Sequence, residues 1–282
     1  MATTNRVHYF HAGACGFGGY FDSPIEQNVA PQAPMSLSPA GGYGSARAES
    51  FSLEGLLSYK SASTQVSGGL SKKPGGGWIT LATSTVEGLD ILGVITADRI
   101  SAQISTDHPL EGDDPKVTFL GTSFENLKIA GCPVNVTLDL GICDQGNGND
   151  YPPGPCVSDD RFLSRVADQY RRINDVKSMP EWVKDRSIPD WVKQRYQWNN
   201  AQAKKSGRVL CSVVKETSGK FPGTPFGNVF DLPDIGRVFL GELLVDCGTY
   251  RLTMVRVEMG CRAHGHIGGP ICEVNGTTIP PH

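Results

Sequence analysis

Two histidines near the carboxyl end are spaced for metal binding. His264 and His266 lie two residues apart in an extended segment, where alternate side chains point to the same side. Cys261 is close by in sequence, and imidazole and thiolate are ligands that transition metals prefer. The sequence therefore predicts a transition-metal site here, to which four further residues could add ligands: Cys272, His8, His11 and Cys15. The alternative is two surface histidines on a hairpin beside a Cys261–Cys272 disulfide.

A second candidate site is a polar loop in the middle of the chain. Asp144, Asn147, Asn149 and Asp150 supply closely spaced oxygen ligands, and the intervening glycines allow sharp turning. Ligands of this kind suit Ca²⁺. The loop lacks the glutamate at the twelfth position that closes an EF-hand. The alternative is therefore a polar turn whose Asn, Asp and Gly residues tolerate left-handed backbone.

Aromatic and basic residues are concentrated between residues 157 and 206. This block carries 11 Lys and Arg residues against 7 Asp and Glu residues, and it holds three of the four tryptophans. Trp, Tyr and Arg are enriched in binding hot spots, and the aromatic rings can stack on sugars or aromatic ligands. We therefore take four aromatic residues as candidate ligand-binding residues: Tyr170, Trp182, Trp191 and Trp198. The alternative is that the tryptophans dock helices onto the rest of the fold.

The remaining chemistry is less specific. The chain contains no nucleophile elbow, phosphate-binding loop, dinucleotide-binding fingerprint or H-E-x-x-H motif, so the sequence leaves open whether the protein is an enzyme. The net charge of −3 argues against nucleic-acid binding. No apolar run approaches the ~20 residues of a membrane-spanning helix, so we predict no membrane span.

The elements that must position these residues are predicted to be mostly β-strands. Apolar residues alternate with small polar ones from residue 78 to residue 140, and glycines interrupt the pattern. Similar alternation returns over residues 208–282. The 34 glycines and 19 prolines suit a fold of strands and turns. We predict one mostly β domain over residues 1–282, an antiparallel sandwich or barrel.

A helical segment interrupts these strands. Its first part carries an apolar stripe with helical spacing, and Ser158 or Asp159 is placed to cap the helix start. Two related units, MPEWVKDR and IPDWVKQR, follow nine residues apart, with Ser178 and Ser187 before them as predicted caps. The second unit is predicted to continue as a helix through RYQWNNAQAKK. The segment thus predicts an inserted helical hairpin at 157–206.

Cysteine usage and the visible start of the chain point to different compartments. Eight cysteines, several of them in predicted loops, suit disulfides in an oxidising compartment, with reduced buried thiols as the alternative. The first residues show no basic segment followed by an apolar one, as a signal peptide would have. If that start is native, it indicates the cytoplasm.

Four segments, in this order along the chain, resemble a bacterial surface-protein family known as choice-of-anchor P. They are an L-G-x-I-T-A-D kernel, an N-L-x-(V/I)-x-G-x-P-V segment, an L-P-x-x-G-x-x-x-L-x-E segment and a final G-H-I-G-G, at residues 92–98, 126–134, 232–242 and 265–269. The resemblance covers roughly residues 78–140 and 230–270. It implies an exported, β-rich protein at the cell surface. The helical block at 157–206 departs from the family pattern.

Two classes of function follow from these observations. The first is a non-catalytic bacterial surface, assembly or binding protein, which associates with itself or holds a carbohydrate or small molecule. The second is a small-molecule enzyme or ligand-binding protein with a pocket under the aromatic helical insertion. In that second class, His264 and His266 would supply a metal dependence.

Overall fold

The computed structural model describes residues 6–53, 55–73, 76–110, 115–143, 156–183, 187–260 and 263–279. The strands that precede the helical segment are β1 (Val7–Cys15), β2 (Gly18–Ser23), β3 (Gln27–Val29), β4 (Met35–Ser36), β5 (Gly42–Ala48), β6 (Phe51–Leu53), β7 (Leu57–Tyr59), β8 (Ser61–Leu70), β9 (Trp78–Ile91), β10 (Ile95–His108), β11 (Lys116–Thr118), β12 (Ser123–Glu125), β13 (Lys128–Ile129), β14 (Cys132–Pro133) and β15 (Asn135–Leu138).

The helical segment holds α1 (Asp160–Ile173), α2 (Asp190–Arg195) and α3 (Asn200–Ser206), with single turns of 3-10 helix at Cys156–Ser158, Val176–Ser178 and Glu181–Val183. The strands that follow are β16 (Arg208–Ser212), β17 (Val214–Ser218), β18 (Thr224–Phe226), β19 (Val229–Leu232), β20 (Gly236–Asp246), β21 (Thr249–Gly260) and β22 (His264–Ile279). Within the described ranges, no helix is long and apolar enough to cross a membrane.

The strands form two ten-stranded antiparallel sheets and one two-stranded ribbon. Sheet 1 has the order β18-β19-β20-β21-β22-β1-β4, with β16 paired to β20, β2 to β22, and β3 to β2. Sheet 2 has the order β14-β13-β10-β9-β7-β6, with β11 and β12 paired to β10, β8 to β9, and β5 to β8. Among the described residues, strands β15 and β17 pair only with each other. Sheet 1 therefore combines strands from both sides of the helical segment.

The hairpin β9–β10 is the centre of sheet 2, and its turn explains the local sequence. Ile91 pairs with Ile95, so the loop has three residues, and the Val94 N–H donates to the Ile91 carbonyl (3.0 Å) across Leu92 and Gly93. Both have positive φ, 58° and 65°, as a turn matched to the twist of a hairpin requires. Asp90 Oδ1 accepts from the Gly93 N–H (2.7 Å) and holds the turn closed. This fixes the register of the two strands.

The two sheets pack face to face through small and branched side chains. Residues on the inner face of β9 and β10 have no exposed surface, among them Ala82, Val86, Ile100, Ala102 and Ile104. Hydrogen bonds also join the sheets: the Ser84 hydroxyl donates to the Cys15 carbonyl (2.8 Å), and the Cys272 thiol donates to the Ala102 carbonyl (3.3 Å). The prediction of a mostly β, antiparallel sandwich with a helical insertion is confirmed.

The insertion begins as predicted and then differs in detail. Asp159 caps α1 by accepting from the Arg161 N–H (2.8 Å), and the apolar stripe of α1 is buried. The helix predicted through RYQWNNAQAKK is interrupted, because the chain leaves α2 at Tyr196 and starts again at α3 with Asn199 as its cap. The predicted cap Ser187 is wrong, since Pro189 occupies the cap position of α2 without a side-chain hydrogen bond.

We expect the inter-sheet core to be the main source of stability. Replacing Ile100, which is fully buried, with alanine should lower the free energy of unfolding by about 2–5 kcal/mol, because the change removes apolar burial and leaves a cavity. Leu120→Ala, at a side chain that is 65% exposed, should change it by less than about 0.5 kcal/mol. Urea unfolding followed by circular dichroism measures both. Equal losses for the two variants would contradict this packing.

Candidate ligand-binding cleft

A buried carboxylate anchors the helical insertion to the outer face of sheet 1. The Glu242 side chain on β20 is only 8% exposed. Arg195 at the end of α2 donates from Nη2 to Oε1 of Glu242 (2.8 Å). Arg256 on β21 donates from Nε to Oε2 (2.5 Å) and from Nη2 to Oε1 (3.0 Å). We call these three residues the docking network. It satisfies a charge that would otherwise be costly to bury.

Aromatic contacts reinforce the docking network. The guanidinium groups of Arg256 and Arg195 lie 3.8 and 4.6 Å from the centroid of the Phe239 ring. Burial by itself would lower the pKa of each guanidinium, but Glu242, helped by Tyr196 at Arg195 and by Glu258 at Arg256, outweighs it, and each pKa is raised. Both arginines therefore stay charged at any physiological pH, and the network does not depend on titration of its cations.

The four aromatic residues predicted to bind ligand pack instead against the β-sheet body. Tyr170 is buried and donates its hydroxyl to the Leu210 carbonyl (2.6 Å), and burial raises its pKa. The three tryptophans are half-buried against the core. Each has an aromatic neighbour, with ring centroids 5.6 Å apart for Trp182 and Phe221, 6.1 Å for Trp191 and Phe226, and 5.4 Å for Trp198 and Tyr170.

The tryptophan rings that a sugar would stack on therefore already contact other side chains of the protein. The Arg237 guanidinium lies 3.9 Å from the centroid of Trp191 and covers one face of its ring. Stacking on that face would require Arg237 to move. These contacts favour the alternative drawn from the sequence, in which the tryptophans dock the insertion.

A cleft of about 470 Å³ lies between the insertion and the β-sheet body. One wall is the end of α1 and the turn after it, and the other is β17 together with β18 and the turn to β19. The lining residues are Gln169, Arg172, Ile173, Ser178, Met179, Pro180, Val214, Lys215, Glu216, Thr217, Pro225, Phe226, Gly227 and Asn228. None of the four predicted aromatic residues is among them.

The cleft combines an apolar interior with charged groups at its rim. Ile173, Met179 and Phe226 are buried side chains of its walls, while Arg172 and Lys215 are exposed. Glu216 is also exposed, so the rim carries two cations and one anion. An apolar surface beside two cations suits a ligand with an apolar body and an anionic group.

Hydrogen bonds fix the walls of the cleft. Gln169 on α1 donates to the Ser212 carbonyl (2.7 Å) and accepts from the Ser212 N–H (3.1 Å). The Thr217 hydroxyl on β17 donates to the Gly227 carbonyl (3.2 Å) and ties β17 to the turn after β18. Asn228 donates to the Leu240 carbonyl (3.1 Å), which connects that turn to β20. The cleft is thus built on ordered elements from both sides.

The predicted transition-metal residues do not come together. His264 and His266 are exposed on β22, and the ring of His266 packs against Tyr20 with a centroid separation of 4.4 Å. Cys272 is fully buried between the sheets because it lies on the inner face of the same strand. His11 on β1 is paired with residue 275 of β22. That position is nine residues along the strand from His266, so the two histidines are separated by roughly 30 Å.

The other proposed ligands are also accounted for. His8 is buried at the far end of β1, and Cys15 donates its thiol to the Phe17 and Gln32 carbonyls. Within the part of the chain that the structure describes, no three His, Cys, Asp or Glu side chains are grouped to hold a metal. Cys261 and the predicted Ca²⁺ loop at 144–150 lie outside the described residues. No disulfide joins two cysteines whose side chains are described.

Comparison with known proteins places the chain in a family without assigning a function. A family model described as a domain of unknown function, DUF8256, matches residues 8–246. No curated protein and no solved structure matches the chain. The resemblance to choice-of-anchor P proteins, with the surface location that it implies, stays a prediction.

We expect the docking network to be sensitive to the charge of Glu242. Glu242→Gln keeps the shape of the side chain but removes the carboxylate that pairs with Arg195 and leaves Arg256 with Glu258 as its remaining counter-charge. Removing one partner of a buried ion pair costs 3–5 kcal/mol, and since the guanidiniums keep 30% and 22% exposure we expect a loss of about 3 kcal/mol.

The matched control is Glu125→Gln, which removes the charge of a half-exposed carboxylate 3.7 Å from Arg99. That change should alter the free energy of unfolding by less than about 1 kcal/mol. Chemical unfolding of the two variants and the wild type measures both changes in the free energy of unfolding. An effect of Glu242→Gln no larger than that of the control would show that the network does not hold the insertion.

Proposed function

The chain belongs to the DUF8256 family of domains of unknown function, and from its cleft we propose that it is a binding protein. The ligand is a small molecule with an apolar body and an anionic group, held between α1 and strands β17 and β18. The observation that carries the proposal is the cleft itself, whose volume of about 470 Å³ falls within the ~300–1,000 Å³ typical of ligand sites.

The chemistry of the lining supports this class of ligand. Phe226, Ile173 and Met179 offer apolar contact. Arg172 on α1 and Lys215 on β17 both line the cleft, so an anionic group bound there would have a cation available on each wall. Glu216 at the same rim would disfavour a ligand with a second anionic group nearby.

The position of the cleft also agrees with the second function class drawn from the sequence. That class required a pocket under the helical insertion, and the cleft lies there, although other residues line it. The resemblance of four strand segments to a surface-protein family supports a binding role as well. A role in surface attachment or self-assembly remains a prediction from that resemblance alone.

A fluorescent anionic probe tests the proposal before the natural ligand is known. 8-Anilinonaphthalene-1-sulfonate has an apolar ring system and one sulfonate, the combination that the cleft should favour. We expect saturable binding at one site of the folded protein. The double variant Arg172→Glu and Lys215→Glu should weaken it at least about tenfold, which corresponds to roughly 1.4 kcal/mol, because both cations become anions.

The control is Lys205→Glu, an exposed lysine on α3 that does not line the cleft. It should leave the affinity within about twofold of the wild type. Thermal unfolding of each variant verifies that dye binding does not come from loosened structure. Equal affinity of the double variant and the wild type, or the absence of saturable binding, would overturn the proposal.

A further inference from the structure

One end of sheet 1 is a two-stranded ribbon that is held by few neighbours. Residues 7–11 of β1 pair with residues 275–279 of β22. The pairing of β22 with β21 stops at Val274, and β1 pairs with β4 only at residues 13 and 14. Within the described part of the chain, this terminal ribbon, residues 7–11 with 275–279, has no further strand on either side, and beside it the Phe10 N–H donates to the Pro39 carbonyl (2.9 Å). Its inner face must therefore be secured by contact with sheet 2.

Two buried histidines make that contact. The ring of His8, on the terminal ribbon, stacks on Trp78 of β9 with a centroid separation of 5.1 Å and an interplanar angle of 11°. The ring of His108, on β10, lies 4.6 Å from His8. Trp78 and His108 face each other in the register of β9 and β10. His8 is 6% exposed and His108 is 3% exposed, so both imidazoles are removed from water.

The two rings also converge on one glycine. A Cβ at Gly276 would lie 2.6 Å from Nε2 of His8 and 2.9 Å from Nε2 of His108, both shorter than real Cβ contacts. The two Nε2 atoms are therefore at most 5.5 Å apart, the sum of these two distances. Only glycine at this position lets the terminal ribbon approach both imidazoles.

The described residues around the pair include polar, uncharged side chains. Nδ1 of His8 shares a hydrogen bond with the Thr278 hydroxyl (3.0 Å). Both Nε2 atoms are buried without a hydrogen-bond partner, as are the hydroxyls of Thr80 and Thr106, which face each other on β9 and β10. Buried polar atoms are seldom left unpaired in folded proteins. Because several such atoms are grouped here, a change of charge at this site would have a large effect on the stability of the contact between the ribbon and sheet 2.

Among the described residues, charged groups nearby do not face the pair. From β1, β9, β10 and β22 the facing side chains are neutral: Phe10, Trp78, Thr80, Thr106 and Thr278. Asp107 alternates with His108 and points to the other face of sheet 2, where Lys116 is its partner in register. Arg6 lies at the end of the ribbon and donates to the Leu110 carbonyl (3.4 Å). It would oppose, not stabilise, a positive charge on the histidines.

We propose that His8 and His108 form an acid-sensitive latch, which fastens the terminal ribbon to sheet 2 while both imidazoles are neutral and releases it when they gain protons. The ribbon is the responsive element because, among the described residues, each of its two segments has only the other as a strand partner. Protonation would place two like charges in adjacent buried rings. Release exposes both rings to water, where each can be charged without a desolvation cost.

The direction of the pH dependence follows from burial. Desolvation lowers the pKa of His8, and desolvation together with the neighbouring His8 lowers the pKa of His108 to about 4. The open state binds protons with the ordinary pKa of 6.5. The latch is therefore at full strength above pH 6.5 and weakens as the pH falls toward 4. For His108 alone, this corresponds to an increase of up to about 300-fold in the opening equilibrium.

Two measurements on the wild-type protein test the latch. Histidine Cε1–H resonances followed by NMR from pH 7.5 to 4 should show His8 and His108 remaining neutral well below pH 6, while the exposed His264 and His266 serve as references in the same spectra.

Hydrogen exchange, corrected for the intrinsic effect of pH, should show amides of residues 7–11 and 275–279 losing protection below pH 6.5 before those of β9 and β10. Titration of either buried histidine near pH 6.5, or unchanged ribbon protection down to pH 4.5, would overturn the proposal.

A variant separates the latch from general acid sensitivity. His108→Phe keeps an aromatic ring but cannot gain a proton. The increase in the opening equilibrium of the ribbon between pH 7.5 and pH 4 should therefore be at least about tenfold smaller than in the wild type. His266→Phe, at an exposed histidine, should retain the wild-type response. An identical acid response in His108→Phe and the wild type would contradict the latch. If His108→Phe does not fold, the NMR titration of the wild type decides.

Discussion

The buried carboxylate of Glu242 is the constraint on which the arrangement of the helical insertion depends. A carboxylate that is 8% exposed needs counter-charges and donors, and it obtains them from two different parts of the chain, Arg195 of the insertion and Arg256 of sheet 1. The geometry holds only when α2 lies against β20 and β21. Burial of a single charged group thus specifies where a basic, aromatic segment must sit on a β-sheet.

The same region of β20 also determines where the cleft forms. Strand β16 pairs with β20 up to Glu242, and the chain then leaves sheet 1, with the Val213 N–H donating to the Gly241 carbonyl (2.9 Å). A Cβ at Gly241, where φ is +58°, would lie 2.9 Å from the side chains of Val213 and Val214. Glycine therefore allows β17 to depart from the sheet at this point. The space between β17 and the docked helix α1 is the proposed binding site.

Local patterns in the sequence predicted the parts of the fold that depend on near neighbours. Alternation of apolar residues indicated the strands around residues 78–140, and the buried stripe and Asp159 cap of α1 were recognisable from spacing. The same reasoning named Trp182, Trp191 and Trp198 as ligand-binding candidates because their residue type is common in binding sites. Residue type could not show that Phe221, Phe226 and Tyr170 would pack against their rings.

The parts that sequence reasoning missed depend on residues far apart in the chain. Glu242 meets Arg195 across 47 positions, and His8 meets Thr278 across 270. Nothing local distinguishes Glu242 from the exposed Glu216, or His108 from the exposed His266. Their roles arise from burial, which is set by the pairing of β1 with β22 and by the docking of the insertion. Lys215 and Phe226 likewise line one cleft only because β17 and β18 approach each other in the folded chain.

The central claim is that the insertion is a fixed wall of a binding cleft. Native-state hydrogen exchange of the backbone amides of α1, compared with those of β20, tests it most directly. Because α1 buries Phe162, Leu163 and Val166 and is tied to Ser212 through Gln169, its protected amides should exchange with opening free energies close to those of β20. Exchange of all α1 amides at rates near those of an unfolded chain, while β20 stays protected, would contradict the account.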